Sequence, residues 1–338
     1  MSRRLCVIPG DGIGREVVPV AVEVLRHLLP DLQVEEAEAG WDCFQRHGTS
    51  VPDTTYDSLR ACGAGLFGAV SSPSHKVEGY RSAILSLRQT LALNLNLRPV
   101  RSRPVVSPRA GIDLLVLREN SEGLYSGREH WEAEGVAIAE RVISRTACER
   151  LAAGAAELAR LRHARRITLV HKANVLPITC GLFRDTCRDR LAEDGWSDVL
   201  DERLVDVAAL QLVERPESFD LIVTTNLFGD ILSDLASHWG GGLGLAPSLN
   251  LGAGNALAEP VHGSAPDIAG TGRANPLAAI LSAGMLLRHY WQLPELADRI
   301  DSAVDEFLRE EGSVDFAGET TRVIGQGVLE RLGATSNH

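Results

Sequence analysis

The 338-residue sequence lacks an apolar run of the roughly 18 residues that a bilayer span requires. It also lacks internal repeats and any low-complexity linker, so no domain boundary is visible from composition. Its six cysteines (Cys6, Cys43, Cys62, Cys148, Cys180 and Cys187) contain no CxxC pair; a zinc site or a disulfide framework is not indicated, and buried thiols are expected. The opening MSRRLCVIPGDG breaks at Pro9-Gly10, too early for a signal-peptide core, so a cytoplasmic protein is expected. A net charge of -11 opposes any broad nucleic-acid or anionic-membrane surface. An anionic ligand would therefore need a local arginine cluster.

What is present is the composition of a globular protein, 44% hydrophobic and 23% charged, long enough for two domains or one large α/β unit. LCVIPGDGIGREVVPVAVEVLRHLL reads as strand, glycine-rich turn and amphipathic helix. AGLFGAV, LLVLREN, RITLVHKAN and FDLIVTTN are short apolar runs ending in polar residues, and RTACERLAAGAAELARLRHARR repeats Leu and Ala at helical spacing. Strands alternating with helices predict an α/β architecture with polar strand ends gathered at one edge.

The segment TTNLFGDILSDLA places Asp230 and Asp234 one helical turn apart with no Lys or Arg beside them in sequence. Two readings follow: a solvated helix face, or a site for a hard divalent cation such as Mg²⁺ or Mn²⁺. GDGIG has G-x-G-x-G spacing rather than G-x-G-x-x-G and no acidic strand end about 20 residues on, which favours a tight turn over a dinucleotide fingerprint. Arg88, Arg98 and Arg118 sit in three different local contexts; converging, they would clamp a polycarboxylate. Tyr125 lies in the glycine-flanked loop RENSEGLYSG and Lys172 in HKANVL, where apolar neighbours would desolvate the amine toward use as a base. A packing tyrosine and a solvated lysine are the alternatives. Asp206, a lone carboxylate in ERLVDVAALQL, could complete a metal set. EPVHGSAPDIAGTGRANP is a small-residue loop with isolated polar groups at His262, Ser264, Asp267 and Asn275; it is either a surface loop or a place where a nucleotide approaches the backbone, with Asp267 on ribose hydroxyls favouring NAD over NADP.

Taken in order, GDGIG, RENSEGLYSG, HKANVL, NLFGDILSDLA, GGLGLAPS and EPVHGSAPDIAGTGRANP closely resemble the β-decarboxylating dehydrogenases, which include isocitrate, 3-isopropylmalate, homoisocitrate and tartrate/malate dehydrogenases. The resemblance implies an isopropylmalate dehydrogenase-like two-domain α/β fold with a large mixed β-sheet, not a Rossmann fold. Residues 1–100 with 254–338 would form an NAD-binding domain, and 101–253 a substrate, metal and dimerisation domain with an arm near 125–145. The site would lie in the cleft between them. It further implies substrate contacts from Arg88, Arg98, Arg118 and Asn174, metal ligation by Asp206, Asp230 and Asp234, and acid–base roles for Tyr125 and Lys172, with Asp206 assisting the lysine. Lys172 and Asp206 would reach into the neighbour's site in a homodimer or dimer of dimers. Glu259, His262, Gly263, Ser264, Ala265, Asp267, Ile268 and Asn275 would hold NAD. The implied reaction is metal-assisted oxidation of a 2-hydroxy acid at C2, loss of the β-carboxylate as CO₂ and protonation of the enolate by Tyr125.

Substrate choice would fall to the helix carrying Arg88, where Ile84 and Leu85 occupy the same face one turn earlier. Some bacterial homoisocitrate dehydrogenases that also use isocitrate have arginine where this chain has Leu85, and an aliphatic residue there disfavours isocitrate. SSPSHKVEGYRSAI, AGWDCFQRHGTSVPDTT and KANVLPITCGLF resemble homoisocitrate enzymes, with Ser72, Arg81 or Ser82 available to a longer arm. Homoisocitrate, in aminoadipate-type lysine biosynthesis, is the expected substrate; 3-isopropylmalate and then tartrate/malate are the alternatives. A non-catalytic regulatory subunit is disfavoured because Tyr125, Lys172, Asp206, Asp230 and Asp234 are all present.

Overall fold

The structure is a computed structural model that describes residues 2–75, 77–311 and 320–334. Lys76, within SSPSHKVEGYRSAI, lies outside the described residues. The chain opens with β1 (Arg4–Gly10), α1 (Gly14–Leu28), β2 (Gln33–Glu36), α2 (Trp41–His47), α3 (Asp53–Cys62), β3 (Ala64–Ala69) and α4 (Ala83–Thr90). It continues through β4 (Leu95–Arg101), β5 (Asp113–Glu119), β6 (Glu129–Ala133), β7 (Val136–Ala139), α5 (Arg145–Arg162), β8 (Ile167–His171), α6 (Thr179–Glu193), β9 (Leu200–Leu204), α7 (Val205–Glu214), β10 (Leu221–Thr224) and α8 (Asn226–Ser237). It closes with β11 (Pro247–Leu251), β12 (Ala256–Pro260), α9 (Leu277–Met285), α10 (Pro294–Glu311) and α11 (Thr321–Ala334). Two compact units result: Met1–Leu93 with Ser102–Ala110 and Gly240–His338, and Asn94–Arg101 with Gly111–Trp239.

In the first unit the strands run β2-β1-β3-β12-β11, the first four mutually parallel and β11 antiparallel to β12. In the second they run β4-β5-β10-β8-β9, with β4 antiparallel to β5 and the rest parallel. Apolar runs such as LLVL, ITLV and LIVT are buried throughout, as strands covered on both faces must be. One core of the second unit joins Val116, Val170 and Ile222 to Leu212 of α7 and Leu232 of α8; one core of the first joins Ile8, Phe67 and Leu257 to Leu59 of α3 and Leu87 of α4. The mixed strand directions, unlike a Rossmann sheet, match the fold class expected from the resemblance.

GDGIG is a turn that packs closely. A Cβ on Gly10 (φ +72°) would lie 2.0 Å from the Ala69 carbonyl oxygen, and one on Gly12 (φ +54°) 2.1 Å from that of Ser264. Asp11, fully enclosed, accepts backbone N–H groups of Trp41 (2.7 Å), Asp42 (3.0 Å) and Ser71 (2.9 Å). Its carboxylate is thus committed to holding loops together. Five of the six cysteines are buried thiols, and burial pushes Cys6 up to about 12; Cys62 differs, being half-buried with its Sγ near Glu35.

Arg103 fastens the short 102–110 segment to the first unit. Its buried guanidinium donates to Asp305 (2.8 Å) and Asp301 (2.6 Å) of α10. Arg103→Met would remove the buried guanidinium that Asp301 and Asp305 share, and the unfolding free energy should fall by about 3 kcal/mol, read as a lower urea midpoint at unchanged m-value.

Candidate active site

The second unit brings five of the singled-out residues together: Arg98, Arg118, Tyr125, Asp230 and Asp234. Arg118 is the penultimate residue of β5, a strand with every residue after Asp113 buried, and its side chain runs against the first turn of α8. Its Nη1 donates to Asp230 Oδ1 (2.5 Å), and its Nε and Nη2 donate to Asn226 Oδ1 (3.1 and 2.7 Å). Arg98 of β4 lies 3.2 Å from the same Asp230 oxygen and donates to Asp234 Oδ1 (3.1 Å), Ser233 Oγ (2.8 Å) and Asn96 Oδ1 (2.9 Å). The two aspartates that have no basic neighbour in sequence therefore meet two guanidinium groups in space. Tyr125 donates its hydroxyl proton to Asp230 Oδ2, and its ring lies under the Arg118 guanidinium at 5.1 Å. Burial first, then the Asp230 carboxylate, push the phenol above its ordinary 10.0. Burial also raises the Asp234 carboxyl; Arg98 opposes this and Asp230 adds to it.

Lys172 follows β8 directly. Its flanks Val170 and Ala173 are buried and its side chain is 25% exposed, while Val175 is exposed. Its Nζ donates to Asp206 Oδ1, and that hydrogen bond holds the Asp206 carboxyl below the ordinary carboxylate range. Asp206 occupies the first turn of α7, where the helix dipole favours an anion. His171, buried and kept neutral chiefly by that burial, accepts the Ala173 N–H on Nδ1 (3.1 Å) and faces Glu202 through Nε2 (3.3 Å), which fixes the loop after β8. Asn174 is exposed. Among the described residues Asp206 does not join Asp230 and Asp234 in a cluster tight enough to chelate one ion. The oxygen donors of Asp230 and Asp234 lie one helical turn apart, and the charge of Asp230 adds to the burial that raises Asp234, so the pair suits a hard divalent cation.

In the first unit Arg88 of α4 is buried and donates to Glu259 Oε1 (2.7 Å), which also accepts from Asn250 (2.8 Å). Glu259, expected beside the cofactor, thus orients Arg88. The Arg88 Nε–H is buried without a partner, a donor that a carboxylate could accept. Ile84 packs partly on the core, Leu85 is half-buried, and Ser72 and Arg81 are exposed, Arg81 donating to Gln89. In the loop after β12, His262 Nδ1 lies 3.0 Å from the Gly263 carbonyl oxygen, while its buried Nε2 has no partner. With Nδ1 carrying the proton and burial keeping the ring neutral, Nε2 is an acceptor with no partner among the described residues, which fits the amino group of a nucleotide base. Ser264 Oγ accepts from Ser71 Oγ (2.8 Å), Ala265 has φ +38°, its carbonyl accepts the Ile268 N–H (3.1 Å), and Gly263 and Asp267 are exposed. Asn275 Oδ1 accepts the Leu277 N–H (3.0 Å) and starts α9. These residues fit a dinucleotide.

Several working residues escape sequence reasoning. Asn226 holds Arg118 by accepting two of its N–H groups on Oδ1, and Gly229 makes room for it: a Cβ there would lie 2.6 Å from Arg118 Cγ. Gly229→Ala should therefore push Arg118 off Asp230 and lower kcat/KM by about a hundredfold, with the far-UV circular dichroism unchanged. One signal was available for Lys172: among 34 Lys and Arg residues only Lys76 and Lys172 are lysines, which sets this position apart.

The isocitrate/isopropylmalate dehydrogenase family matches residues 4–332. The chain is 51% identical over 334 residues to the isocitrate/homoisocitrate dehydrogenase of Thermus thermophilus, covering 98% of this chain and 99% of that one. It is 43% identical over 309 residues to the 3-isopropylmalate dehydrogenase of Archaeoglobus fulgidus, covering 91% and 92%. Among solved structures, isocitrate dehydrogenase from Methylococcus capsulatus is similar with a TM-score of 0.92 at 40% identity, covering 98% and 99%.

Proposed function

Because this chain belongs to the isocitrate/isopropylmalate dehydrogenase family, we propose that it carries out NAD- and divalent-metal-dependent oxidative decarboxylation of homoisocitrate to 2-oxoadipate. The observation that carries the reading is the convergence of Tyr125, Arg98 and Arg118 on Asp230, and the separate Lys172–Asp206 ion pair supports it. Arg88, Arg98 and Arg118 hold the substrate carboxylates, and His262 with Asp267 and Ile268 orients the adenosine end of NAD. When bound, the metal ion and nicotinamide supply a Lewis acid and a hydride acceptor. Lys172 takes the C2 hydroxyl proton, directly or through Asp206, whose carboxylate stays ionised and ready to accept it. Tyr125 then delivers its proton to C3 as CO₂ leaves. A phenol raised above its ordinary 10.0 stays protonated across neutral pH, so Tyr125 adds no basic limb to kcat below about pH 10.

The aliphatic pair Ile84 and Leu85 supports a substrate whose distal carboxylate lies beyond them rather than isocitrate. 3-Isopropylmalate is the alternative, favoured by the same two side chains. The exposed hairpin with Trp131, Val136 and Ile138, and the exposed Val175, Ile178, Leu210 and Ile231, support burial against a second copy. Asp267→Ala should raise KM for NAD by about tenfold with kcat little changed, since a hydrogen bond to a charged group contributes about 1.5–3 kcal/mol. The direct test of the reading follows NADH and CO₂ together with homoisocitrate and Mn²⁺. Equal yields that vanish with EDTA are expected, and NADH without CO₂ would contradict it.

A further inference from the structure

Arg141 is outside every role assigned above, yet its guanidinium joins the starts of two helices, and the residue after it pairs with the loop that carries Tyr125. Its Nη1 donates to Thr179 Oγ1 (3.0 Å) and Cys180 Sγ (3.0 Å) at the start of α6, and its Nη2 donates to Thr225 Oγ1 (3.0 Å) at the start of α8. The planar group also lies over the Phe228 ring at 5.2 Å. Each acceptor leads to a working residue. Cys180, fully buried, accepts the backbone N–H of Lys172 on the same sulfur (3.3 Å), so the base and Arg141 share one anchor. Thr225 stands at the N-cap of the helix that carries Asp230 and Asp234 but makes no side-chain cap; its hydroxyl serves Arg141 instead. Val142, the next residue in the chain, bridges Gly123 in antiparallel fashion (2.8 and 3.4 Å), two residues before Tyr125.

We propose that Arg141 is the positioning residue that sets the acid Tyr125, the base Lys172 and the Asp230–Asp234 helix in register with one another. Only a guanidinium has the geometry: a rigid fork reaches acceptors on two sides while its face stacks on an aromatic ring. An ammonium group satisfies one direction at a time. The proposal rests on the reading of Tyr125 and Lys172 as acid and base, and its consequence is kinetic. A misplaced acid–base pair slows turnover while the arginines that bind carboxylates are untouched.

The test measures kcat, KM and the pH dependence of kcat for Arg141→Ala, Arg141→Lys and Cys180→Ala, with the parent and Lys172→Met alongside. Arg141→Ala is expected to lose about a hundredfold in kcat with KM for the hydroxy acid within about threefold. Arg141→Lys should fail to restore it, and millimolar guanidinium should partly rescue Arg141→Ala. Cys180→Ala, which keeps the guanidinium but removes the shared anchor, should lower kcat by about tenfold with KM for the hydroxy acid little changed, because the backbone of Lys172 loses its hold. Parent-like kcat in folded Arg141→Ala, or a loss that only tracks the folded fraction, would overturn the proposal. An active Lys172→Met would instead remove the acid–base reading beneath it.

Discussion

Lys172→Met should lower kcat by about a thousandfold, the range expected when a positioned general base is removed. Methionine keeps the length and apolar stem of the side chain, so packing against the buried Val170 and Ala173 persists and only the amine is lost. Asp206 would then lose the hydrogen bond that keeps its carboxyl low, but it stays exposed and remains ionised at neutral pH. KM for NAD should be unchanged, and size-exclusion chromatography should give the parent's elution volume. Lys172→Arg should be equally slow, since a guanidinium does not give up its proton at any working pH. A kcat within tenfold of the parent would remove Lys172 from the chemistry.

Asp230→Asn should be nearly as severe, for a different reason. Asp230 is where Arg98, Arg118 and Tyr125 converge, and its charge is one cause of the raised carboxyl of Asp234 and the raised phenol of Tyr125. The amide would donate as well as accept and would ligate a hard cation poorly. Losing several kcal/mol of charge stabilisation corresponds to more than about a hundredfold in kcat. The Mn²⁺-induced rise in melting temperature expected of the parent should disappear in the variant. Both raised groups should fall toward their ordinary values, so the Tyr125 phenol would titrate at lower pH than in the parent, by spectrophotometric titration. An unaltered Mn²⁺ response would show that the ion is held elsewhere.

Much of this was legible in one dimension. The apolar runs ending at Glu119, His171 and Thr224 became β5, β8 and β10, because uninterrupted Val, Leu and Ile can be satisfied only by burial on both strand faces. The i, i+4 spacing put Asp230 and Asp234 on one face of α8, and the glycine-rich GDGIG proved to be a turn because its glycines sit against the carbonyls of Ala69 and Ser264. What pattern reading could not supply was partnership across long sequence distances. Arg98 and Asp234 are separated by 136 residues and Arg88 and Glu259 by 171. The pairing of Glu259 with Arg88 was therefore not readable, and the aspartates read as lacking counter-charges that β4 and β5 provide. Residues 240–253, expected with the middle of the chain, pack with the first unit because β11 pairs antiparallel with β12 across a short connection. Gly229 and Arg141 were invisible for the same reason: each matters through one neighbour that only the fold brings near.

The most direct test is kcat/KM for NAD reduction with Mn²⁺, measured in parallel for homoisocitrate, 3-isopropylmalate, isocitrate and tartrate. Homoisocitrate is expected to lead by about tenfold or more, the discrimination that one added group in a pocket can provide. A lead for 3-isopropylmalate would contradict the assignment and leave Ile84 and Leu85 as a pocket for a branched alkyl group.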